Sequence, residues 1–180
     1  MILVFLAEGF EEVEALATVD VLRRAGLEDK TVGVTGATVS GSHSIPVVCD
    51  TTIDAVEPDE RIEAVVLPGG MPGTLNLEKD EKVNSFIDYA YAKGKYVCAI
   101  CAAPRILGKK GLLEGKEAIC FPGFEEYLYG ASVSDKSVCV DGKIITAKAC
   151  GVALKFGKVI AEQFIGKEKA DKLRETLYND

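Results

Sequence analysis

The chain has 180 residues, of which 48% are hydrophobic and 27% are charged, and its formal net charge is −7 at pH 7. This length and composition suffice for a globular core, which excludes a disordered tail, a collagen-like fibre and a disulfide-dense mini-protein. The acidic balance argues against a nucleic-acid partner, since binding to duplex phosphates requires a basic stripe.

The opening run, Met1 to Ala7, is apolar but ends at Glu8 and has no basic residue before it. It fits neither a signal peptide nor a membrane span, and we expect a cytoplasmic protein with no membrane partner. The six cysteines then favour reduced thiols over a disulfide framework. Cys98 and Cys101 form the only close pair, which lacks a second pair at zinc-finger spacing, so we expect no metal.

Short apolar runs alternate with helix-like stretches along the chain. In chain order we predict a strand at 1–7, a helix at 11–24, a strand at 64–67, a helix at 81–92, a strand at 96–100, a hairpin at 138–147 and helices at 152–164 and 168–177. Continuous apolar strands followed by amphipathic helices are typical of a three-layer α/β fold with a mostly parallel central sheet. With no repeat and no linker, we expect one domain over residues 1–180.

Cys101 lies where the predicted strand at 96–100 turns into a helix. Ala102, Ala103 and Pro104 follow it and open a helix-like stretch that reaches residue 113. Small residues permit a tight turn, and proline suits the first helical turn. Amides and the dipole at a helix N-terminus lower a cysteine pKa, so this position favours a reactive thiolate over a cysteine that only packs in the core.

A glycine-rich loop, residues 68–73, follows the strand at 64–67. Its adjacent glycines, Gly69 and Gly70, let backbone amides point into one hollow, where the amides of Gly70 and Ala102 would hold an oxyanion beside the sulfur. The alternative is an ordinary turn, because such loops are frequent in α/β proteins. The sequence has neither a dinucleotide fingerprint nor a Walker motif, and we expect no cofactor.

Glu14 shares an apolar stripe of the first predicted helix with Ala17, Thr18 and Val21. Burial there would raise its pKa and make it a proton partner for a nearby thiolate or a general base. The alternative is that the helix turns a polar side in this direction. Glu11 and Glu12 fall on other faces and are explained as first-turn charges that complement the helix dipole.

Four segments resemble the ThiJ/PfpI family, most closely its protein-deglycase branch, and the resemblance covers nearly the whole chain. They are LAEGFEEVEALATVDVLRRAG at 6–26, VVLPGGMPG at 65–73, VCAICAAPRIL at 97–107 and DGKIITAKACGVAL at 141–154.

The resemblance implies a flavodoxin-like fold and a homodimer built partly around the first helix. It assigns Cys101 as the elbow nucleophile, Glu14 as a buried acid bonded to it, and Gly70 and Ala102 as amide donors. Arg24 matches an arginine that borders the site near the dimer contact.

Members of the deglycase branch are credited with glyoxalase III-type conversion of methylglyoxal to lactate without glutathione, with deglycation, and with oxidative-stress sensing or chaperoning. Our first hypothesis is a cysteine-dependent enzyme acting on small reactive carbonyls or their adducts. The alternative is a non-catalytic sensor or chaperone-like protein in which Cys101 is oxidised. Cys120 and Cys150 match family positions that flank the pocket, so either is a candidate to resolve an oxidised Cys101.

Two positions depart from the family pattern. The histidine usual in the deglycase branch falls at Phe121, and the histidine that the peptidase branch carries after its nucleophile is replaced by Ala102, which disfavours peptidase activity. The only histidine is His43, in a segment whose equivalent approaches the partner subunit's site in relatives. It is either an exposed loop residue or a base that serves Cys101 of the other subunit.

Overall fold

The computed structural model describes residues 1–177. Its helices are α1 (Glu12–Arg24), α2 (Gly73–Lys79), α3 (Glu81–Ala92), α4 (Pro104–Lys109), α5 (Ala153–Ile165) and α6 (Lys167–Thr176). Its strands are β1 (Ile2–Leu6), β2 (Asp29–Gly33), β3 (Thr38–Ser40), β4 (Pro46–Val48), β5 (Thr51–Thr52), β6 (Ala64–Leu67), β7 (Tyr96–Ile100), β8 (Glu117–Ala118), β9 (Ser132–Val133), β10 (Val138–Asp141) and β11 (Ile144–Ala147). The expected end of the domain, residues 178–180, lies outside the described residues.

A seven-stranded sheet in the order β10-β11-β7-β6-β1-β2-β5 forms the centre of the fold. All of its neighbouring strands run parallel except β10 and β11, which form the predicted hairpin and turn between Asp141 and Ile144. The prediction of an α/β fold with a mostly parallel sheet is therefore confirmed. The sequence patterns did not predict β2 and β5 at one edge, nor the two-stranded pairs β3–β4 and β8–β9.

Side chains of β1 alternate between two hydrophobic layers, as the pleat of a strand requires. Phe5 packs in the layer that contains Phe86 of α3, and the two rings lie 5.2 Å apart. Leu6 points to the opposite layer, which contains Leu22 of α1 and Phe156 of α5. Burial on both faces explains why the central strands are continuous apolar runs.

The two helices of that second layer, α1 and α5, approach each other closely. A Cβ atom added at Gly157 of α5 would lie 3.2 Å from the Cα of Thr18 and 3.0 Å from the Cβ of Val21. This contact fixes α1 against the sheet, with its N-terminus beside the carboxyl ends of β6 and β7. Among the described residues, no helix is both long enough and apolar enough to cross a membrane.

Candidate active site

Cys101 lies at the carboxyl end of β7, where a parallel sheet places its ligand-binding loops. Its amide donates to the carbonyl of Ala147 at 2.9 Å, and the amide of Ala103 donates back to Ile100 at 3.0 Å. The chain turns so sharply here that Cys101 has φ +65°, a left-handed conformation rare for a residue other than glycine. The predicted elbow is thus present, and its thiol is partly exposed.

Glu14 is buried, with 1% of its surface exposed, as its place on the apolar stripe predicts. Its Oε2 accepts the amide of Gly69 at 2.8 Å, and its side chain also interacts with the thiol of Cys101. Among the described residues, Oε1 is buried without a nitrogen or oxygen partner. Burial raises the pKa of Glu14 to about 7, although the contacts with Cys101 and Gly69 partly oppose that rise.

The loop at 68–73 fits closely around the start of α1 and the elbow. A Cβ atom added at Gly69 would lie 2.6 Å from Oε2 of Glu14 and 2.7 Å from the Cβ of Cys101. Gly70 has φ +90°, and an added Cβ would lie 2.6 Å from the carbonyl oxygen of Gly9. Only glycine fits at either position, and the amide of Gly69 is already used to hold Glu14.

The acidity of Cys101 differs from the expectation. Burial, together with the charge and hydrogen bonding of Glu14, raises the pKa of the thiol well above its usual range. The amides of Ala102 and Gly70 lower it by hydrogen bonding, but they do not outweigh those effects. The predicted lowering by a helix N-terminus is therefore wrong, because α4 begins only at Pro104 and the sulfur faces a carboxyl group.

The segment 41–45 packs on the first turn of α1, where it surrounds a second buried glutamate. Glu12 is 4% exposed, and its Oε1 accepts the amide of His43 at 2.8 Å. Its Oε2 lies 2.9 Å from Nδ1 of His43 and 3.2 Å from the hydroxyl oxygen of Ser42. Burial opposes ionisation of Glu12, but hydrogen bonds from His43 and Ile45 outweigh it and lower the pKa to about 2.

Glu12 was expected to be a simple first-turn charge, and that expectation is wrong. The signal in the sequence was Gly41, whose missing side chain leaves the space that the Glu12 carboxylate occupies. Glu11, Glu12 and His43 each offer a ligand atom within 4.8 Å of the others, so they are the described side chains that could hold a metal ion. The His43 ring is 68% exposed and is bonded to Glu12, not to Cys101.

The remaining predicted residues lie at different distances from the elbow. Arg24 is ten residues along α1 from Glu14, a rise of about 15 Å, and pairs with Asp20 at 2.6 Å. The structure thus does not bring Arg24 to Cys101 of its own chain. Cys120 is buried and Cys150 is exposed, and both are free thiols.

Phe121 follows Cys120 and is joined to the elbow through the backbone. Its amide donates to the carbonyl of Cys101 at 2.8 Å, while its side chain is 43% exposed. Spacing in the sequence gave no sign of this contact, which links residues 20 positions apart. The position that matches the family histidine is thus bonded to the backbone of Cys101, but it carries an aromatic ring.

These features define a class of protein: an α/β sheet with a cysteine at a strand-to-helix elbow, a buried glutamate beside it and two glycines that leave room for both. Residues 1–163 match the model of the DJ-1/PfpI family. The chain belongs to that family, as the resemblance indicated.

Individual relatives agree with this assignment. The chain is 36% identical to Protein dj-1beta of Drosophila melanogaster over 178 residues, which is 97% of this chain and 95% of the relative. It is 33% identical to a deglycase of Pyrococcus horikoshii, covering 82% of this chain and 89% of that one. It also matches Protein DJ-1 homolog A of Arabidopsis thaliana at 36% identity, but spans only 46% of that longer protein.

Solved structures show the same fold. The crystal structure of Drosophila melanogaster DJ-1beta superposes with a TM-score of 0.93 at 34% identity, covering 99% of this chain and 97% of that one. A structure of oxidised DJ-1 from Toxoplasma gondii gives a TM-score of 0.94 at 33% identity, with 99% and 97% coverage.

Proposed function

We propose that this protein is a DJ-1-like, cysteine-dependent enzyme that acts on small reactive carbonyls or on the adducts they form with amines and thiols. The observation that carries the proposal is the pairing of a partly exposed thiol at an elbow with a buried glutamate whose pKa is about 7. A carboxyl group with such a pKa exchanges protons near neutral pH, which suits a general acid and base. The deglycase name of a relative 33% identical supports the substrate class.

The first step would be attack of Cys101 on the aldehyde carbon of an α-oxoaldehyde. The Glu14 carboxylate takes the thiol proton as the sulfur–carbon bond forms, and the electron pair of the C=O double bond moves onto oxygen. The amides of Gly70 and Ala102, which already bond the sulfur, would stabilise this oxyanion. Glu14 then returns its proton to the oxyanion and leaves a hemithioacetal.

The second step would be an internal redox change. Glu14 removes the proton from the former aldehyde carbon to give an enediolate and delivers it to the neighbouring ketone carbon, while the hydroxyl proton moves from the first oxygen to the second. The first carbon is thereby oxidised and the second reduced. The product is a thioester of a 2-hydroxy acid. Water then attacks the thioester, the C–S bond breaks, and the acid leaves with the thiol restored. This route needs no cofactor, because the oxidised and reduced carbons are in one molecule.

The test is lactate formation from methylglyoxal without glutathione, at both catalytic and enzyme-excess ratios. We expect many turnovers with the wild type, none with Cys101→Ser and unchanged turnover with Cys150→Ser, which removes an exposed thiol. Uptake of one methylglyoxal per chain without lactate would contradict the proposal. It would favour the alternative, in which peroxide oxidises the Cys101 thiol to a sulfenic acid and releases water.

We also propose that a second copy of the chain covers α1. Exposed apolar side chains on and beside this helix support a homodimer: Val13 is 53% exposed, Leu16 38% and Ile45 52%. Sedimentation velocity tests the assembly. A base supplied by His43 across such a dimer is a separate hypothesis, and equal methylglyoxal turnover by His43→Ala would rule it out.

A further inference from the structure

Phe121 is joined through its backbone to the elbow that carries Cys101. Its amide is fixed to the Cys101 carbonyl at 2.8 Å, so its Cα lies close to the backbone that carries the thiol. The preceding residue, Cys120, is fully buried, whereas the Phe121 side chain is 43% exposed. Phe121 and Cys101 thus both have exposed surface, and their backbones are bonded to each other.

Phe121 belongs to a stack of three aromatic rings. The Phe121 and Phe124 rings meet edge to face, with centroids 6.4 Å apart, and the centroids of the Phe124 and Tyr127 rings are 6.0 Å apart. The Cζ atom of Arg105 lies 4.2 Å from the centroid of the Tyr127 ring, and its Nε donates to Oε2 of Glu78 at 2.8 Å. The stack thus ends on an ion pair between Arg105 of α4, the helix that follows the elbow, and Glu78 of α2.

We propose that Phe121 is a specificity-determining residue that makes the site prefer carbonyl compounds with an aryl or bulky apolar substituent over methylglyoxal. The inference rests on the proposed function for the reaction itself. A ring held in place by its neighbours loses little conformational freedom when it contacts a second ring, so the contact contributes more fully to binding. Aromatic pairs of this kind favour binding by about 3- to 10-fold.

The preference can be measured without turnover by alkylating Cys101. Iodoacetamide and its N-phenyl derivative react by the same displacement: the sulfur–carbon bond forms, iodide leaves and the thiol proton goes to solvent. The quantity measured is the alkylation rate with N-phenyliodoacetamide divided by the rate with iodoacetamide, followed at the Cys101 peptide by mass spectrometry. Dividing it by the same ratio for N-acetylcysteine removes the intrinsic difference between the reagents and reports the contact with the aryl group. We expect this ratio to fall about 3- to 10-fold in Phe121→Ala and less in Phe121→Leu.

Tyr129→Ala provides the matched control, because Tyr129 is a 52% exposed aromatic residue of the same segment. It should leave the ratio unchanged. An unchanged ratio in Phe121→Ala would overturn the proposal. If both rates also rose by the same factor, the ring would be a steric shield and not a binding surface.

The second measurement compares kcat/KM for phenylglyoxal and methylglyoxal in the wild type and Phe121→Ala. We expect the wild-type preference for phenylglyoxal to fall by the same factor. If neither compound is turned over but the alkylation ratio still falls, the proposed function fails while the aryl-binding role of Phe121 holds. If both compounds are turned over with a ratio insensitive to Phe121, the reaction holds and the specificity proposal fails.

Discussion

Glu12 and Glu14 are two residues apart on the same helix and both have almost no exposed surface, yet their acidities move in opposite directions. The pKa of Glu12 is lowered to about 2, and that of Glu14 is raised to about 7. Both lie in the first turn of α1, so the helix dipole favours the charged form of each. The dipole therefore does not explain the difference.

The difference arises from the depth of each carboxylate and from the number of hydrogen-bond donors around it. Burial has the largest effect on the pKa of Glu14, whereas hydrogen bonds outweigh burial at Glu12. Glu12 receives donors from four groups of the segment 41–45, whereas Glu14 receives one amide and faces a thiol. A carboxylate surrounded by donors stays ionised in a buried place, and one without them keeps its proton. The first arrangement fixes a loop, and the second leaves a proton available for chemistry.

The largest expected effect is on catalysis. Glu14→Gln removes the group that exchanges protons, and we expect kcat/KM for methylglyoxal to fall by about 100-fold or more. Glu12→Gln keeps the size of the side chain and should change kcat/KM by less than about 5-fold, since Glu12 contacts the loop and not the thiol. Steady-state lactate production measures both. An equal loss of kcat/KM in the two variants would contradict the assignment of the proton-exchanging role to Glu14 alone.

The second effect is on stability against pH. Because the folded-state pKa of Glu14 is raised from 4.5 to about 7, the protonated group contributes stability that is complete below pH 4.5 and is lost as pH rises through 7. Relative to Glu14→Gln, the wild type should lose about 3 kcal/mol of unfolding free energy between pH 4.5 and 8. Urea unfolding at several pH values measures this. Parallel pH profiles for the two proteins would show that Glu14 titrates normally.

A smaller effect is expected at Glu12. Glu12→Ala leaves the amides of His43 and Ile45 without their acceptor, and we expect a loss of about 2 kcal/mol in unfolding free energy. Glu81→Ala is the matched control, because Glu81 is an exposed first-turn glutamate of α3. Equal losses in the two variants would mean that the bonds to the segment 41–45 contribute nothing to stability.

The smallest effect is a shift in the titration of His43. Hydrogen bonding to Glu12 and the charges of Glu11 and Glu12 raise its pKa above 6.5. We expect the imidazole signals of the only histidine to report this raised pKa by NMR, and Glu12→Gln to bring it back down. No change between wild type and Glu12→Gln would place the ring away from Glu12 in solution.

Much of the fold follows from local sequence, whereas part of the site does not. The apolar runs predict β1, β6 and β7, and helical periodicity predicts the burial of Glu14. The burial of Glu12 depends on residues about 30 positions away, and no helical pattern of α1 contains that information. The same holds for Phe121, whose link to Cys101 is a backbone hydrogen bond that is independent of side-chain type. The short strands β3, β4, β8 and β9 also depend on tertiary contacts more than on pattern.

The left-handed backbone conformation of Cys101 lowers the stability of the fold. A residue with a Cβ atom at φ +65° costs roughly 1–2 kcal/mol relative to glycine. Directed evolution for heat resistance alone would therefore be expected to exchange this cysteine for glycine or asparagine. A library screened in that way would enrich variants that are thermally stable but lack the reactive thiol. A selection that aims to retain activity must therefore score thiol reactivity together with melting temperature.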